Sequence, residues 1–142
     1  LMISFHNQTI AFTLKNKLKL KQWIKFISEK EKHAVGTINY VFCNDDELLE
    51  INLKHLNHNT LTDIITFDYT EGNVIHSDIF ISIERVKENA AKFKVTFEDE
   101  LHRVLIHGIL HLCGYKDKSK IDSELMRKKE NWALKHRIPF HL

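Results

Sequence analysis

Apolar residues recur with two different periods along the chain, and this pattern predicts an α+β protein. Strands are predicted where β-branched and aromatic residues alternate or run together, at residues 2–6, 37–43, 63–70 and 74–82. Helices are predicted where apolar residues recur at helical spacing among charged ones, at 13–32, from a cap at Asn44 or Asp45 to Leu53, and at 83–94, 96–112 and 121–136. A turn at Gly72 and Asn73 predicts a hairpin between the last two strands. Together these elements predict a small mixed β-sheet of about four strands packed against about five helices.

The composition predicts a single domain over residues 1–142. The 142 residues are 43% hydrophobic and 28% charged, which supports a folded core and excludes a disordered chain. The chain has one proline and no linker rich in glycine, serine or proline. No repeat or low-complexity tract divides it.

The bulk charge and the cysteines narrow the class of protein only a little. Lys plus Arg number 21 against 19 for Asp plus Glu, and a net charge of +2 does not by itself indicate nucleic-acid binding. Cys43 and Cys113 lie far apart and form no CxxC pair, which fits a reducing compartment. The first residues lack the features of a signal peptide, and no apolar run reaches the length of a membrane span. We therefore expect a cytoplasmic protein without a membrane segment.

The segment HGILHLCGYKD, at 107–117, carries the candidate chemistry. His107 and His111 are four residues apart on a predicted helix, so their side chains lie about 40° apart around its axis and can reach one ion. Gly114 can end the helix at its C-terminus and let Asp117 approach as a third ligand. Three N/O ligands with an open position are typical of a catalytic zinc site. The sequence thus predicts one zinc ion per chain at the end of this helix, held by His107, His111 and Asp117.

A His pair at this spacing is often incidental, but here its surroundings are apolar. Ile106, Ile109 and Leu110 flank the pair, and burying an unpartnered imidazole costs a few kcal/mol. The frame HxxxHxxGxxD also matches the ligand spacing of metzincin peptidases, which carry a Glu base directly after the first His. Gly108 stands there in this chain, so the same ligand frame is expected to serve another chemistry.

Four blocks of the sequence resemble the YbeY-type endoribonucleases, also described as ribosomal RNA maturation factors. They occur in the expected order: LTDIITFDY at 61–69, SDIFIS at 77–82, EDELHRVLIHG at 98–108 and HGILHLCGY at 107–115. The resemblance implies an α+β fold with a metal in a basic cleft. It also implies metal-dependent cleavage of single-stranded RNA in ribosome biogenesis. The implied roles are late 3′-end processing of small-subunit ribosomal RNA and ribosome quality control, with the ribosomal subunit as a partner.

The chain departs from the pattern of this family at two positions. The third ligand of the family is usually His preceded by Asp, whereas here Lys116 precedes Asp117. Aspartate is a sound zinc ligand but adds a negative charge and favours harder ions. Many members carry an Arg thought to act on the phosphate, and Leu56 stands at that position here. His55 or His58 is a candidate for part of that role.

The remaining catalytic candidates are acids and lysines near the metal segment. Lys116 and Lys118 can stabilise charge that develops on a phosphate. Asp63 and Asp78 are candidate general bases because each lies in a strand motif, although a turn or cap with Thr62 also explains Asp63. Tyr115 and Phe67 are candidates for stacking on bases or for the core.

Several residues are assigned no chemistry. Cys113 points about 200° away from the His pair around the helix and is interpreted as a structural thiol. Cys43 is expected in the core, and His102 is expected to be exposed. Two other functions remain open: a ribosome assembly factor with a structural metal and little catalysis, and a metzincin-like metallopeptidase.

Overall fold

Four strands and five α-helices make up the fold in the computed structural model, which describes residues 2–56 and 62–142. The strands are β1 (Met2–Asn7), β2 (Ala34–Cys43), β3 (Ile64–Asp68) and β4 (Val74–Ser82). The helices are α1 (Lys17–Lys30), α2 (Asp45–Leu56), α3 (Ile83–Phe93), α4 (Phe97–Leu112) and α5 (Lys120–Lys135), followed by a 3₁₀ turn at Ile138–Phe140. The predicted α+β class is confirmed.

The strands form one mixed sheet in the order β1-β2-β4-β3. β1, β2 and β4 run parallel, and β3 pairs antiparallel with β4. The predicted hairpin is present: Glu71 bridges Val74, and Gly72 has a φ of 60°, a left-handed value that glycine adopts without steric cost. The hairpin places the start of β3 beside the end of β4, at the edge of the sheet where the candidate site lies.

Helix α4 packs on the inner face of the sheet. Tyr40 is fully buried there and donates its hydroxyl to the carbonyl of Leu105 at 2.8 Å. A Cβ at Gly108 would lie 3.1 Å from a methyl of Ile64 and 3.2 Å from a methyl of Ile79. The absence of a side chain at Gly108 therefore lets α4 approach β3 and β4 closely, which sets the position of the residues on either side of it.

The outer face of the sheet is partly covered by α2. Cys43, Leu48 and Ile65 are buried together there, with Phe67 and Phe80 packed against them. The core is thus divided between a large cluster under α1 and α4 and a small one under α2.

Three predictions about these elements are wrong. The first helix begins at Lys17 rather than at residue 13, because Asn16 takes a left-handed conformation with a φ of 60°. Leu53, predicted on the apolar side of α2, is exposed. His102, predicted to be exposed, is only 5% exposed, because it accepts a hydrogen bond from Nη1 of Arg137 at 2.8 Å and lies beside Trp23.

Among residues 2–56 and 62–142, no helix combines the length and apolarity needed to cross a membrane.

Candidate metal centre

A line of polar side chains crosses the otherwise apolar helix α4. Glu100, Arg103, His107 and His111 are spaced by three or four residues and so share one face of the helix. The helix begins at a cap where Thr96 Oγ1 accepts from the backbone N–H of Asp99 at 3.0 Å. Its opposite face is buried against the sheet, so the polar face is directed toward α5 and the start of β3.

The structure brings His107, His111 and Asp117 together. Oδ2 of Asp117 lies 3.2 Å from Nε2 of His107 and 3.3 Å from Nε2 of His111. Ligand atoms bound tetrahedrally to one ion at about 2.0–2.1 Å are separated by roughly 3.3 Å, so these spacings suit a zinc-sized ion. One atom from each residue lies within 4.8 Å of the others, and the two imidazoles meet edge to face with centroids 4.6 Å apart. This donor set can hold a metal ion.

Asp117 reaches the histidines because the chain turns back after α4. Gly114 has a φ of 104°, and its N–H donates to the carbonyl of His111 at 3.0 Å. The next residue anchors the turn: Tyr115 donates its hydroxyl to Oε1 of Glu31 at 2.7 Å, while Lys129 donates to Oε2 at 3.1 Å. The predicted role of Gly114 at the end of the helix is confirmed.

Glu130 on α5 orients the first histidine. Its Oε2 lies 2.6 Å from Nδ1 of His107, and its Oε1 accepts from Arg103 at 2.9 Å. A carboxylate on Nδ1 fixes the tautomer that presents the lone pair of Nε2 to an ion. Burial would lower the pKa of His107, but the hydrogen bond and charge of Glu130 raise it above the usual value. Burial alone would raise the pKa of Glu130. Its hydrogen bonds with His107 and Arg103 outweigh this effect and lower the pKa below the usual value.

Asp63 lies at the edge of the same cleft, directly before β3. Burial raises its pKa, and the carboxylates of Glu130 and Asp117 add to this increase, while His107 opposes it. Asp78, the other candidate base, points from the outer face of β4 and accepts from Asn39 at 3.1 Å. Of the two candidates, therefore, only Asp63 is placed near the candidate metal ligands.

The ligands lie in a cleft of about 750 Å³ between β3 and the helices. Three basic residues line the cleft: Arg103 on α4, Lys118 after α4 and Arg127 on α5. Two apolar residues also line it, Leu56 on α2 and Phe93 on α3. Among the described residues, the lining does not include Lys116, which is exposed, nor Tyr115, Phe67 or His55. His58 lies outside the described residues.

Three residues that the fold brings to the candidate ligands were not predicted from the sequence: Glu130, Arg103 and Arg127. Arg103 is four residues before His107, a spacing that could have identified it as a neighbour on the same helix face. Glu130 and Arg127 lie on another helix, and their approach depends on how α5 docks against α4.

The two cysteines are unsuited to bind the ion. Burial raises the pKa of the Cys113 thiol to about 12, and the same cause raises the pKa of the Cys43 thiol to about 12. A metal-binding thiol must be deprotonated, so both are better explained as structural thiols. This agrees with the interpretation of Cys113 from its direction on the helix.

Comparisons with known proteins agree on one family. The sequence model of the family described as "Endoribonuclease YbeY" matches residues 2–137. Two proteins named Endoribonuclease YbeY, from Flavobacterium psychrophilum and Parabacteroides distasonis, are 56% and 46% identical to the chain. The first match covers 94% of this chain and 95% of that protein, and the second covers 93% of each. The solution structure of TM1509 from Thermotoga maritima is similar with a TM-score of 0.67 and 31% identity, over 96% of this chain and 89% of that one.

Proposed function

This chain belongs to the Endoribonuclease YbeY family, and from that premise we propose that it cleaves single-stranded RNA with a zinc ion held by His107, His111 and Asp117. Membership makes the chain a hydrolytic nuclease of RNA. The observation that supports the proposed site is the meeting of both Nε2 atoms with one Asp117 oxygen, 3.2 and 3.3 Å away. When bound, a zinc ion supplies a Lewis acid and lowers the pKa of a coordinated water.

The residues around the ligands have separate tasks in this proposal. Glu130 holds the His107 ring with Nε2 toward the ion. Asp63, whose pKa is raised by burial, accepts a proton from the attacking water or ribose hydroxyl. Lys118, which lines the cleft, or Lys116, next to the ligand, stabilises the negative charge that develops on the phosphate.

We propose ribosomal RNA of the small subunit as the substrate, acted on in late 3′-end maturation and in ribosome quality control. This substrate follows from the family, whose curated relatives match almost the full length of the chain. The ribosomal subunit is then the expected partner, the cytoplasm the expected location, and residues 1–142 act as one domain.

Two competing functions are less well supported. A peptidase of the metzincin type needs a Glu after the first His. In this chain the Gly108 position faces Ile64 and Ile79 and is not among the described residues that line the cleft. An assembly factor with a structural metal would be expected to have a closed site of four ligands, whereas the described residues form a group of three. Three ligands leave a position for water or substrate.

The direct test is cleavage of a labelled single-stranded RNA and of its duplex by the zinc-loaded protein. We expect internal cuts in the single strand, little cutting of the duplex, loss of activity with a chelator and recovery with added zinc. The Asp117→Ala protein is the matched inactive control. Tight binding to ribosomal subunits without cleavage of bare RNA by the wild type would instead favour the assembly factor.

A further inference from the structure

We propose that RNA lies in the cleft with a phosphate against Arg127 on α5 and a nucleobase against the apolar surface of Leu56 and Phe93, at the ends of α2 and α3. The inference rests on the proposed function and gives the bound strand a direction across the cleft. It also assigns the phosphate-binding cation to α5, because Leu56 on α2 carries no charge.

Of the two arginines that line the cleft, Arg127 is the one whose guanidinium is available to a ligand. Its side chain is 57% exposed, and its Nη1 lies 3.7 Å from Oε1 of Glu130, beyond hydrogen-bond distance. Arg103 is 21% exposed and already donates to Glu130 at 2.9 Å and to Asn131 at 2.8 Å. The Arg103 guanidinium is therefore committed to positioning Glu130, whereas that of Arg127 can offer paired donors to a phosphate.

The cleft lining also includes exposed apolar side chains. Phe93 is 51% exposed and Leu56 is 42% exposed, and both line the cleft that contains the metal ligands. Lys92 places its Nζ 5.7 Å from the centroid of the Phe93 ring, which adds positive charge beside the aromatic surface. An exposed aromatic ring next to a cation suits a nucleobase, because every base has a face that can stack.

The two kinds of surface come from different parts of the fold. Arg127 lies on α5, which packs against α4, whereas Leu56 and Phe93 end α2 and α3, which pack against each other. His107 and His111 lie on α4 in the same cleft as both surfaces. A strand that contacts both surfaces therefore occupies the cleft that holds His107 and His111.

The test uses zinc-loaded protein and a labelled 2′-O-methyl oligonucleotide, checked on a gel to be intact, with binding followed by fluorescence anisotropy at several salt concentrations. Arg127→Gln is compared with Lys128→Gln, its exposed neighbour on α5 outside the cleft lining. We expect Arg127→Gln to reduce the slope of log K against log salt by about 0.7, the value for one phosphate contact on a single strand. Lys128→Gln should leave the slope near that of the wild type.

Phe93→Ala is compared with Leu18→Ala, another exposed apolar residue that does not line the cleft. We expect Phe93→Ala to weaken binding roughly tenfold with an unchanged salt slope, as for loss of one stacked base. Leu18→Ala should bind like the wild type. An oligonucleotide with abasic sites should bind the wild type more weakly, and Phe93→Ala should reduce that difference.

Moving the guanidinium from α5 to α2 gives a second test. Leu56→Arg added to Arg127→Gln should restore the salt slope, because the cleft regains a guanidinium at another point of its lining. Thermal unfolding of each variant shows whether the exposed substitutions leave the fold intact.

The outcomes separate this inference from the proposed function. A salt slope for Arg127→Gln equal to that of the wild type, or a Phe93→Ala protein that binds like Leu18→Ala, overturns the inference while wild-type cleavage still supports the nuclease. A wild type that neither binds nor cuts RNA overturns the proposed function, and the inference with it.

Discussion

Nδ1 of His107 lies 2.6 Å from Oε2 of the buried Glu130, and this contact joins the candidate metal centre to α5. The same carboxylate accepts from Arg103 through its other oxygen at 2.9 Å. Both oxygens of Glu130 are therefore in use, one to direct an imidazole and one to hold a guanidinium.

Glu130→Gln should weaken metal binding roughly 10- to 100-fold, as for loss of a hydrogen-bond partner behind a metal ligand. The amide has one acceptor oxygen for the two donors of His107 and Arg103, so the ring loses its fixed orientation. Competition with a chromophoric chelator measures the affinity. The exposed Glu124→Gln on the same helix is the control, and equal affinities for the two variants would rule out an orienting role for Glu130.

Asp117→Ala should purify with little or no zinc, against about one zinc per chain for the wild type, because a catalytic site requires three protein ligands. Asp117→His, which installs the usual ligand of the family, should retain the metal. Elemental mass spectrometry of the purified proteins gives both values. A wild type without metal after incubation with zinc would contradict the proposed site.

Asp63→Asn should reduce RNA cleavage roughly 10²- to 10⁴-fold, the range for loss of a general base. Its zinc content should stay at the wild-type level because Asp63 is outside the group of three ligands. Asp78→Asn, on the outer face of the sheet, is the matched control for cleavage rate. If Asp63→Asn cuts RNA as fast as the wild type, the residue is not the base.

Stability should depend on the protonation of His102. Burial, with the nearby charge of Arg137, lowers the pKa of His102 from 6.5 to about 4. Because the folded pKa lies below the unfolded one, the stabilisation is complete above pH 6.5 and is lost as the pH falls toward 4. The loss at the acidic end is about 3 kcal/mol from this group.

His102→Asn keeps an acceptor for Arg137 but cannot titrate in this range. Urea unfolding of the metal-free proteins at several pH values measures the difference between wild type and variant. The difference in unfolding free energy between the two proteins should change between pH 6.5 and 4 and should be constant above pH 6.5. A constant difference over the whole range would show that His102 does not titrate as its burial implies.

The sequence predicted the meeting of His107, His111 and Asp117 because the three belong to one local segment. Two ligands share a helix face, and Gly114 gives the turn that brings the third back, so geometry within eleven residues was sufficient. Glu130 could not be predicted in this way, since it reaches His107 only through the packing of α5 on α4.

The error at His102 has the same origin as the omission of Glu130. Helical periodicity shows that His102 is off the face of His107, but not that Arg137 and Trp23 cover that side of α4. Strand and helix types were predictable from local pattern, whereas the burial of single polar residues depended on contacts far apart in sequence.

The close approach at Gly108 also limits what a single substitution can do at this site. The ligand spacing of the chain is that of a peptidase family that carries Glu directly after the first His. Any side chain there meets the methyl groups of Ile64 and Ile79 at 3.1 and 3.2 Å and points into the sheet rather than the cleft. A glutamate at this position would require those methyl groups to shift by a few tenths of an ångström, and its Cβ would still face the sheet. The peptidase base therefore needs a change in packing as well as a change in sequence.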